Sequence, residues 1–371
     1  MRSAGAIAIV TALLVSAAPA RGASLPNDMQ ALVNAGAPGV IVFARNGTRS
    51  LRLAVGVADR KHGTPMRISD RFRVGSVTKT FVAALVLQLA GEGKLSLDDT
   101  VEKWVPGLVP GGDRITVREL LNHTSGLFDY LNDGDGTVLQ PYVKGDLGHV
   151  WTPQAIVGVA TKHPPHFPPG GGWSYSNTGY IVLGLIVEAA TGDSLAAELK
   201  RRLFVPLGLS RTSLDASPRI AGRYAHGYYH FPRKPLIDVT GVSPTLAWAA
   251  GGIVSTVADL TQFYRALLGG RVLTPDLLHA METTTSMGVV GEDYGLGLWE
   301  TRTLGFARTF RLSCAADRVW GHDGDFPGYL TYAFNSADGQ RQAVVAINDD
   351  ALSKRAARAV SRVVGTAFCA A

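Results

Sequence analysis

One helix constrains what this chain can fold into more than any other segment. The stretch 72–95, FRVGSVTKTFVAALVLQLAGEGKL, predicts a helix that begins near Ser76 and is apolar on almost every side from 81 to 90. A helix that is apolar all round offers no face to water, so it has to lie in the middle of a large domain. Gly91 and Gly93 predict its end, because glycine adopts the left-handed conformation that terminates helices.

The start of this helix carries two residues that suggest chemistry. Ser76 and Lys79 are three positions apart, so on a helix they share a face. The positive end of the helix stabilises negative charge on the serine oxygen, and burial lowers the proton affinity of the lysine. The pair predicts an activated serine with an amine that moves its proton. The alternative interpretation is a helix-capping serine beside a surface lysine, so the hypothesis requires partners elsewhere in the chain.

The N-terminus predicts export. Residues 1–23 contain Arg2, an apolar run from 4 to 15 and then small residues, which is the pattern of a secretory signal. The run is too short and too rich in alanine to favour a transmembrane anchor. We therefore expect a protein that is secreted or periplasmic after signal cleavage. The 371 residues, 46% of them hydrophobic, suffice for one large domain or two joined ones.

Charge and cysteine usage narrow the range of partners. The net charge of +6 falls to +4 when Arg2 and Arg21 leave with the signal, and no long basic run indicates nucleic-acid binding. The only cysteines are Cys314 and Cys369. In an oxidising compartment they predict a disulfide, and without nearby histidines they make a poor metal site.

The order of predicted elements indicates an α+β fold. The runs PGVIVFA and SLRLAVGV, joined at Asn46-Gly47, predict a hairpin from 39 to 57. Further strand patterns, VWGHDG, GYLTYAFNS and QAVVAIN, lie near the C-terminus and precede a helix from 354 to 367. Helical patterns predominate between the two ends, which predicts an antiparallel sheet flanked by helices with an inserted, mostly helical domain. The predicted divisions are 24–98 with 235–371 for the α/β domain and 99–234 for the insertion.

The partners of a nucleophilic Ser76 are sought in two further motifs. Tyr175 and Asn177, in a loop before an apolar helix, can relay protons and orient a substrate, although Tyr130 and Asn132 have the same spacing. The flanking Gly and Trp residues and the helix that follows favour Tyr175.

The second motif is His322-Asp323-Gly324, on a predicted strand. Gly324 leaves the strand edge open to a substrate, and the backbone N–H groups of Ser76 and Asp325 can form an oxyanion hole. By itself, His322 is typical of a hydrogen-bonded histidine within a sheet.

These three motifs, in this order, resemble those of the penicillin-recognising serine hydrolases. The resemblance is closest to secreted D-alanyl-D-alanine carboxypeptidases related to class C β-lactamases, and it extends over LLNHTSGLFDY, FVPLGLSRT, AWAAGGIVST and YGLGL. It implies the β-lactamase/transpeptidase-like fold and, as the expected function, a serine-type D-alanyl-D-alanine carboxypeptidase that acts on peptidoglycan stem peptides and is acylated by β-lactams, with no metal or organic cofactor. Ser76 is implied to be the acylated nucleophile, Lys79 its proton partner, Tyr175 the general base and then acid, and His322 an assistant to the tyrosine hydroxyl. Asn177 is implied to orient the substrate, and Trp248 to help wall the acyl pocket.

The chain departs from these carboxypeptidases where they hold the substrate's terminal carboxylate. Asp323 and Asp325 stand where the resembled enzymes carry hydroxyl residues, and Arg308 and Arg311 lie upstream without an assigned counterpart. Alternation along the strand places both aspartates on one face. The resemblance implies that this is the face where the carboxypeptidases bind the substrate's carboxylate. We therefore expect D-alanyl-D-alanine peptides to be cleaved less well than amides or esters without that carboxylate.

Other functions of the same fold remain as alternatives: a β-lactamase, an esterase, a D-amino-acid amidase or aminopeptidase, or a non-catalytic penicillin-binding protein. The chain contains no His-Glu-x-x-His sequence and no Gly-x-Ser-x-Gly elbow. A zinc hydrolase and an α/β-hydrolase are therefore disfavoured.

Overall fold

A computed structural model describes residues 24–230, 235–301, 314, 318–350 and 352–370. The predicted signal segment, 1–23, lies outside the described residues. Within the described ranges, the helices have these bounds: α1 Leu25–Asn34, α2 Thr78–Gly91, α3 Val101–Trp104, α4 Val117–Leu121, α5 Gln140–Val143, α6 Pro153–Ala160, α7 Asn177–Thr191, α8 Leu195–Leu199, α9 Trp248–Gly251, α10 Val257–Leu268, α11 Pro275–Glu282 and α12 Lys354–Ala370. Short 3₁₀ helices cover Gly75–Val77, Tyr130–Asn132 and Pro244–Leu246, and Lys200–Phe204 is a π-helix.

The strands of the described ranges form one large sheet and two small ones. Their bounds are β1 Gly39–Asn46, β2 Arg49–Asp59, β3 Thr64–Pro65, β4 Phe72–Arg73, β5 Ser213–Leu214, β6 Tyr228–Tyr229, β7 Ile237–Asp238, β8 Ile253–Ser255, β9 Thr285–Val289, β10 Glu292–Tyr294, β11 Trp299–Thr301, β12 Val319–Phe326, β13 Tyr329–Ser336 and β14 Arg341–Ile347. The large sheet has the order β3-β2-β1-β14-β13-β12-β11-β10-β9, and its pairs are antiparallel. Its strands come from both ends of the described chain and most helices lie between them in sequence, so the α+β prediction is confirmed.

Helix α2 is the centre of the structure, as its composition predicts. Every residue from Thr78 to Leu87, and Leu89, is buried. Of the two glycines predicted to end the helix, Gly91 is still helical. Gly93 adopts the predicted left-handed conformation, with φ +70°, and the N–H of Lys94 then donates to Leu89 O.

Alternation along the strands separates two hydrophobic cores. Ile41 and Phe43 of β1 face the core that contains α2, whereas Val40 and Val42 face a second core with α1 and α12. The predicted hairpin is present, with β1 and β2 in register from Gly39 with Gly56 to Asn46 with Arg49.

The predicted disulfide is also present. Cys314 and Cys369 are joined across 55 residues of sequence, which ties α12 to the segment that precedes β12. Among the described helices, none by itself has the length and hydropathy of a membrane span. One bent pair, Asn177–Thr191 with Leu195–Phe204 at 81°, meets those criteria jointly.

Candidate active site

Ser76 lies where the chain enters the central helix. Residues Gly75–Val77 form a 3₁₀ turn that continues directly into α2, and Ser76 is half-buried there. Among the described residues, none caps α2 with its side chain. Lys79 is 0% exposed. The alternative of a capping serine beside a surface lysine is therefore wrong.

Lys79 is held by three hydrogen bonds that use its three N–H donors. Nζ donates to Ser76 Oγ at 3.0 Å, to Asn177 Oδ1 at 2.7 Å and to the carbonyl of Ala250 at 2.8 Å. Burial lowers the pKa of Lys79 to about 7, although the charges of Asp129 and Asp323 act in the opposite direction. An amine with this pKa, in contact with the serine oxygen, can accept and return a proton near neutral pH.

Asp129 fixes the orientation of Asn177. Asn177 begins α7, and its Nδ2 donates to Asp129 Oδ2 at 2.8 Å, so its Oδ1 is the atom turned toward Lys79. Asp129 is 4% exposed and also accepts from the N–H of Leu131. Burial raises the pKa of Asp129. Sequence analysis missed this residue because its partner lies 48 positions away, although it falls within the quoted segment LLNHTSGLFDY.

Tyr175, and not the alternative Tyr130, lies beside the serine and the lysine. Lys79 Nζ is 4.8 Å from the centre of the Tyr175 ring. Burial raises the pKa of Tyr175 well above its usual range, and a hydrogen bond with Ser76 partly offsets this rise. Tyr130 is fully buried and donates its hydroxyl to the carbonyl of Leu246. The structure therefore distinguishes the two motifs that spacing left unresolved.

His123 is a second residue that sequence analysis missed. Its ring centre is 4.3 Å from that of Tyr175, and its Nδ1 accepts from the N–H of Ser176 at 3.2 Å. It is 1% exposed with φ +64°, a conformation that non-glycine residues adopt mainly where the surrounding structure imposes it. Burial lowers its pKa well below the usual range, so the ring is neutral and its proton is on Nε2. A positive φ leaves no signal in the sequence.

His322 lies on β12 and is bonded by a residue that was not predicted. Its Nδ1 contacts the carbonyl of Asp323, which can only accept, so Nδ1 carries a proton, and its Nε2 is hydrogen-bonded to the Tyr294 hydroxyl, 2.9 Å away. The rings of His322 and Tyr175 are 6.4 Å apart. Its implied assistance to the Tyr175 hydroxyl stays a prediction.

The turn that carries Ser76 presses against the backbone of β12. A Cβ at Gly324 would lie 2.0 Å from the carbonyl oxygen of Val74 and 3.2 Å from Ser76 N. Gly75 has φ +54°, and a Cβ there would lie 2.5 Å from Asp325 N. The two N–H groups predicted to bind an oxyanion thus belong to backbone segments in direct contact.

Asp323 and Asp325 are on one face of β12. Their cross-strand neighbours are Tyr332 and Leu330, and His322 and Gly324 face the other way. The Asp323 side chain is 41% exposed. The Asp325 residue reaches solvent. Desolvation of its carboxyl by the surrounding protein nevertheless raises the pKa of Asp325 to about 6, and the charge of Asp323 contributes to this rise. This edge of the cleft is acidic.

Trp248 and Arg308 are the remaining predicted site residues. Trp248 begins α9 with φ +32°, and its indole ring packs against Gly184, while Ala250 of the same helix accepts from Lys79. Its role as a wall of the acyl pocket stays a prediction. Arg308, like Arg311, lies outside the described residues. Within the described part of the chain, no group of three or more His, Cys, Asp or Glu side chains is placed to hold a metal ion.

Comparison with known proteins agrees with this geometry. Residues 25–366 match the sequence profile of the family described as Beta-lactamase. Penicillin-binding protein 4* of Bacillus subtilis is 29% identical over 325 residues, which cover 84% of this chain and 68% of that protein.

Two solved structures are similar over almost their whole length. A D-stereospecific amidohydrolase from a Streptomyces species is 35% identical, with a TM-score of 0.82 over 94% of this chain and 99% of that one. A D-amino acid amidase from Ochrobactrum anthropi, crystallised with L-phenylalanine, is 26% identical, with a TM-score of 0.79 over 93% and 97%.

Proposed function

We propose, from the premise that this chain belongs to the beta-lactamase family, that it is an exported serine amidohydrolase that forms an acyl-enzyme on Ser76. Its substrates are amides or esters of D-amino acids and D-peptides whose leaving groups carry no terminal carboxylate. The observation that carries the proposal is the buried Lys79, bonded at once to Ser76 Oγ and to Asn177 Oδ1. The family match and the similarity to a protein named D-stereospecific amidohydrolase support it.

The proposed reaction has two acyl transfers. Ser76 Oγ attacks the substrate carbonyl as its proton passes to the Lys79–Tyr175 pair, and the N–H groups of Ser76 and Asp325 bind the oxyanion. The carbon–nitrogen bond then breaks, and the departing amine takes the proton. Water, deprotonated by the same pair, attacks the ester and releases the acid and Ser76. The same acyl chemistry predicts that penicillins acylate Ser76.

The preferred leaving group follows from the acidic edge of the cleft. A carboxylate about 4 Å from an aspartate costs about 4 kcal/mol at an effective dielectric near 20. Because Asp323 and Asp325 both reach solvent, screening reduces that cost, and we expect a penalty of about ten- to a hundredfold in kcat/KM. Amide leaving groups do not incur it.

The test compares three matched substrates: a peptide ending in D-alanyl-D-alanine, its C-terminal amide, which has the same acyl group, and that amide with the residue on the acyl side of the scissile bond inverted to the L configuration. The proposal predicts the highest kcat/KM for the D-configured amide. Equal or faster cleavage of the acid contradicts the leaving-group assignment, and faster cleavage of the L-configured amide contradicts the stereochemical one.

The second candidate is a D-alanyl-D-alanine carboxypeptidase that acts on peptidoglycan stem peptides. The raised pKa of Asp325, about 6, favours it under acidic conditions, because below that pH the neutral carboxyl can donate a hydrogen bond to the substrate's carboxylate. The ratio of acid to amide cleavage then rises as the pH falls from 7 to 5. A ratio that does not change with pH contradicts this candidate.

A further inference from the structure

A groove far from Ser76 is lined by four arginines. It has a volume of about 620 Å³ and lies between the β1–β2 hairpin and α10, on the sheet face that α10 covers. Its cationic side chains are Arg45, Arg52, Arg265 and Arg271. Among the described residues that line it, three carry hydroxyl groups, Thr48, Ser50 and Thr261, and none is acidic.

Strand register places this groove at the opposite end of the sheet from the serine. Asp325 is opposite Leu330, Leu330 opposite Ile347, and Ile347 opposite Val40. Arg45 is five residues further along β1, which is roughly 17 Å along the strands, and β1 is separated from β12 by roughly 14 Å across them. A ligand in the groove is therefore not a substrate of Ser76.

The arginines are held together without a counter-charge. Within the described part of the chain, none of the four forms an ion pair, whereas several other arginines do. Arg45 is half-buried, and its pKa is lowered by burial and by the charge of Arg265. Like charges brought together in this way destabilise the fold unless an anion neutralises them.

Two of the side chains are also fixed in place. Arg45 Nε donates to the carbonyl of Gly47 at 2.7 Å and Nη1 donates to Gln342 Oε1 at 3.4 Å, and the guanidinium carbon of Arg52 is 5.0 Å from the centre of the Phe43 ring. An arginine anchored in this way keeps its remaining N–H donors in a defined direction, which suits bidentate binding of phosphate oxygens.

We propose that this groove binds an anion with two or more phosphate groups. Four guanidinium groups require several negative charges, and the groove has room for a short oligophosphate or for a few units of a phosphodiester chain. Free oligophosphates and linear phosphodiester polymers share this chemistry, so both are probes.

The test is calorimetric titration of the full chain with inorganic tripolyphosphate and, separately, with poly(glycerol phosphate), at constant ionic strength. The proposal predicts saturable binding of at least one probe. Arg45→Gln with Arg265→Gln should weaken it at least about tenfold, roughly 1.4 kcal/mol. Arg358→Gln, an exposed arginine on α12, should leave it within about twofold, since it is remote from the groove.

The probe bound more tightly per phosphate identifies the source, and either result supports the site. The Arg45 side chain also bonds the Gly47 carbonyl at the turn of its own hairpin, so its replacement can disturb the fold. A second variant therefore combines Arg265→Gln with Arg271→Gln, since both of these arginines are exposed. Absence of saturable binding, or equal weakening by Arg358→Gln, overturns the proposal. Hydrolysis by Ser76 should be unchanged in every variant, so this test is independent of the proposed function.

Discussion

The two walls of the candidate cleft differ in how firmly they are held. On the helical wall, the side chains of Lys79 and Asp129 are almost completely buried, and Lys79, Asn177 and Asp129 form one connected set of hydrogen bonds. On the strand wall, Asp323 and Asp325 reach solvent and repel each other.

Under the proposed function, this difference gives the two walls different tasks. Acyl transfer requires reacting groups held in one geometry, which burial and complete hydrogen bonding provide. Selection among leaving groups requires only a charge near the departing end of the substrate. Changes to the helical wall should therefore impair every substrate, whereas changes to the strand wall should alter the ratio between substrates.

The largest effect is expected where the two walls touch. Gly324→Ala places a methyl group 2.0 Å from the Val74 carbonyl oxygen, so β12 has to move away from the turn that carries Ser76. A displacement of about 1 Å can cost about a hundredfold in rate. We expect kcat/KM to fall at least that far for acid and amide substrates alike. Gly158→Ala on α6, where an added Cβ meets nothing within 4 Å, is the matched control and should retain activity.

The next effect is expected on the helical wall. Asp129→Asn keeps the shape of the side chain but removes a charged acceptor of the Asn177 amide, which should lower kcat/KM about ten- to a hundredfold for all substrates. Asp133→Asn replaces another buried aspartate, which caps the N–H of Thr137, and should leave kcat/KM almost unchanged.

Asp129→Asn should also change how kcat/KM depends on pH. In the wild type, kcat/KM should rise with pH through about 7, as Lys79 loses its proton. The Asp129 charge raises the pKa of Lys79, so its removal should lower that pKa and move the rising limb of the profile to lower pH. If the rising limb stays in place or moves to higher pH, Lys79 is not the group whose titration sets the pH dependence of kcat/KM.

A smaller and selective effect is expected on the strand wall. Asp323→Thr removes a negative charge near the departing carboxylate, so the preference for an amide over the matched acid should shrink by about tenfold. Because the Asp323 charge also raises the pKa of Lys79, the two proteins are compared at a pH above the rising limb, where the amide's own kcat/KM should change little. A uniform loss for both substrates would mean that Asp323 belongs functionally with the helical wall.

The smallest effect on activity is expected from the disulfide. Cys314–Cys369 closes a loop of 55 residues and should contribute about 4 kcal/mol to the free energy of unfolding, on the chain-entropy account. Reduction should lower the midpoint of denaturation and leave the acid-to-amide ratio unchanged below it. A changed ratio in the folded, reduced protein would mean that α12 influences the strand wall.

The sequence predicts those parts of the fold that depend on residues close together in the chain. The uniform apolarity of 81–90 predicts the burial of α2, Asn46-Gly47 predicts the hairpin, and Ser76 and Lys79 share a helix face because they are three residues apart. The parts that it does not predict depend on tertiary contacts. Two of them are hydrogen bonds between segments that are separated in the chain, Asp129 with Asn177 and Tyr294 with His322. A third is the strained backbone of His123, which the surrounding structure imposes. The same reason explains why Tyr130 and Tyr175 could not be told apart by spacing.

The central claim is that Ser76 becomes covalently acylated, and mass spectrometry tests it most directly. After incubation with a penicillin, rapid quenching and proteolysis, the peptide that contains Ser76 should carry the added mass of the opened penicillin. The Ser76→Ala protein should show neither this adduct nor turnover of D-amino-acid amides. An adduct on another residue, or turnover that survives in Ser76→Ala, would contradict the account.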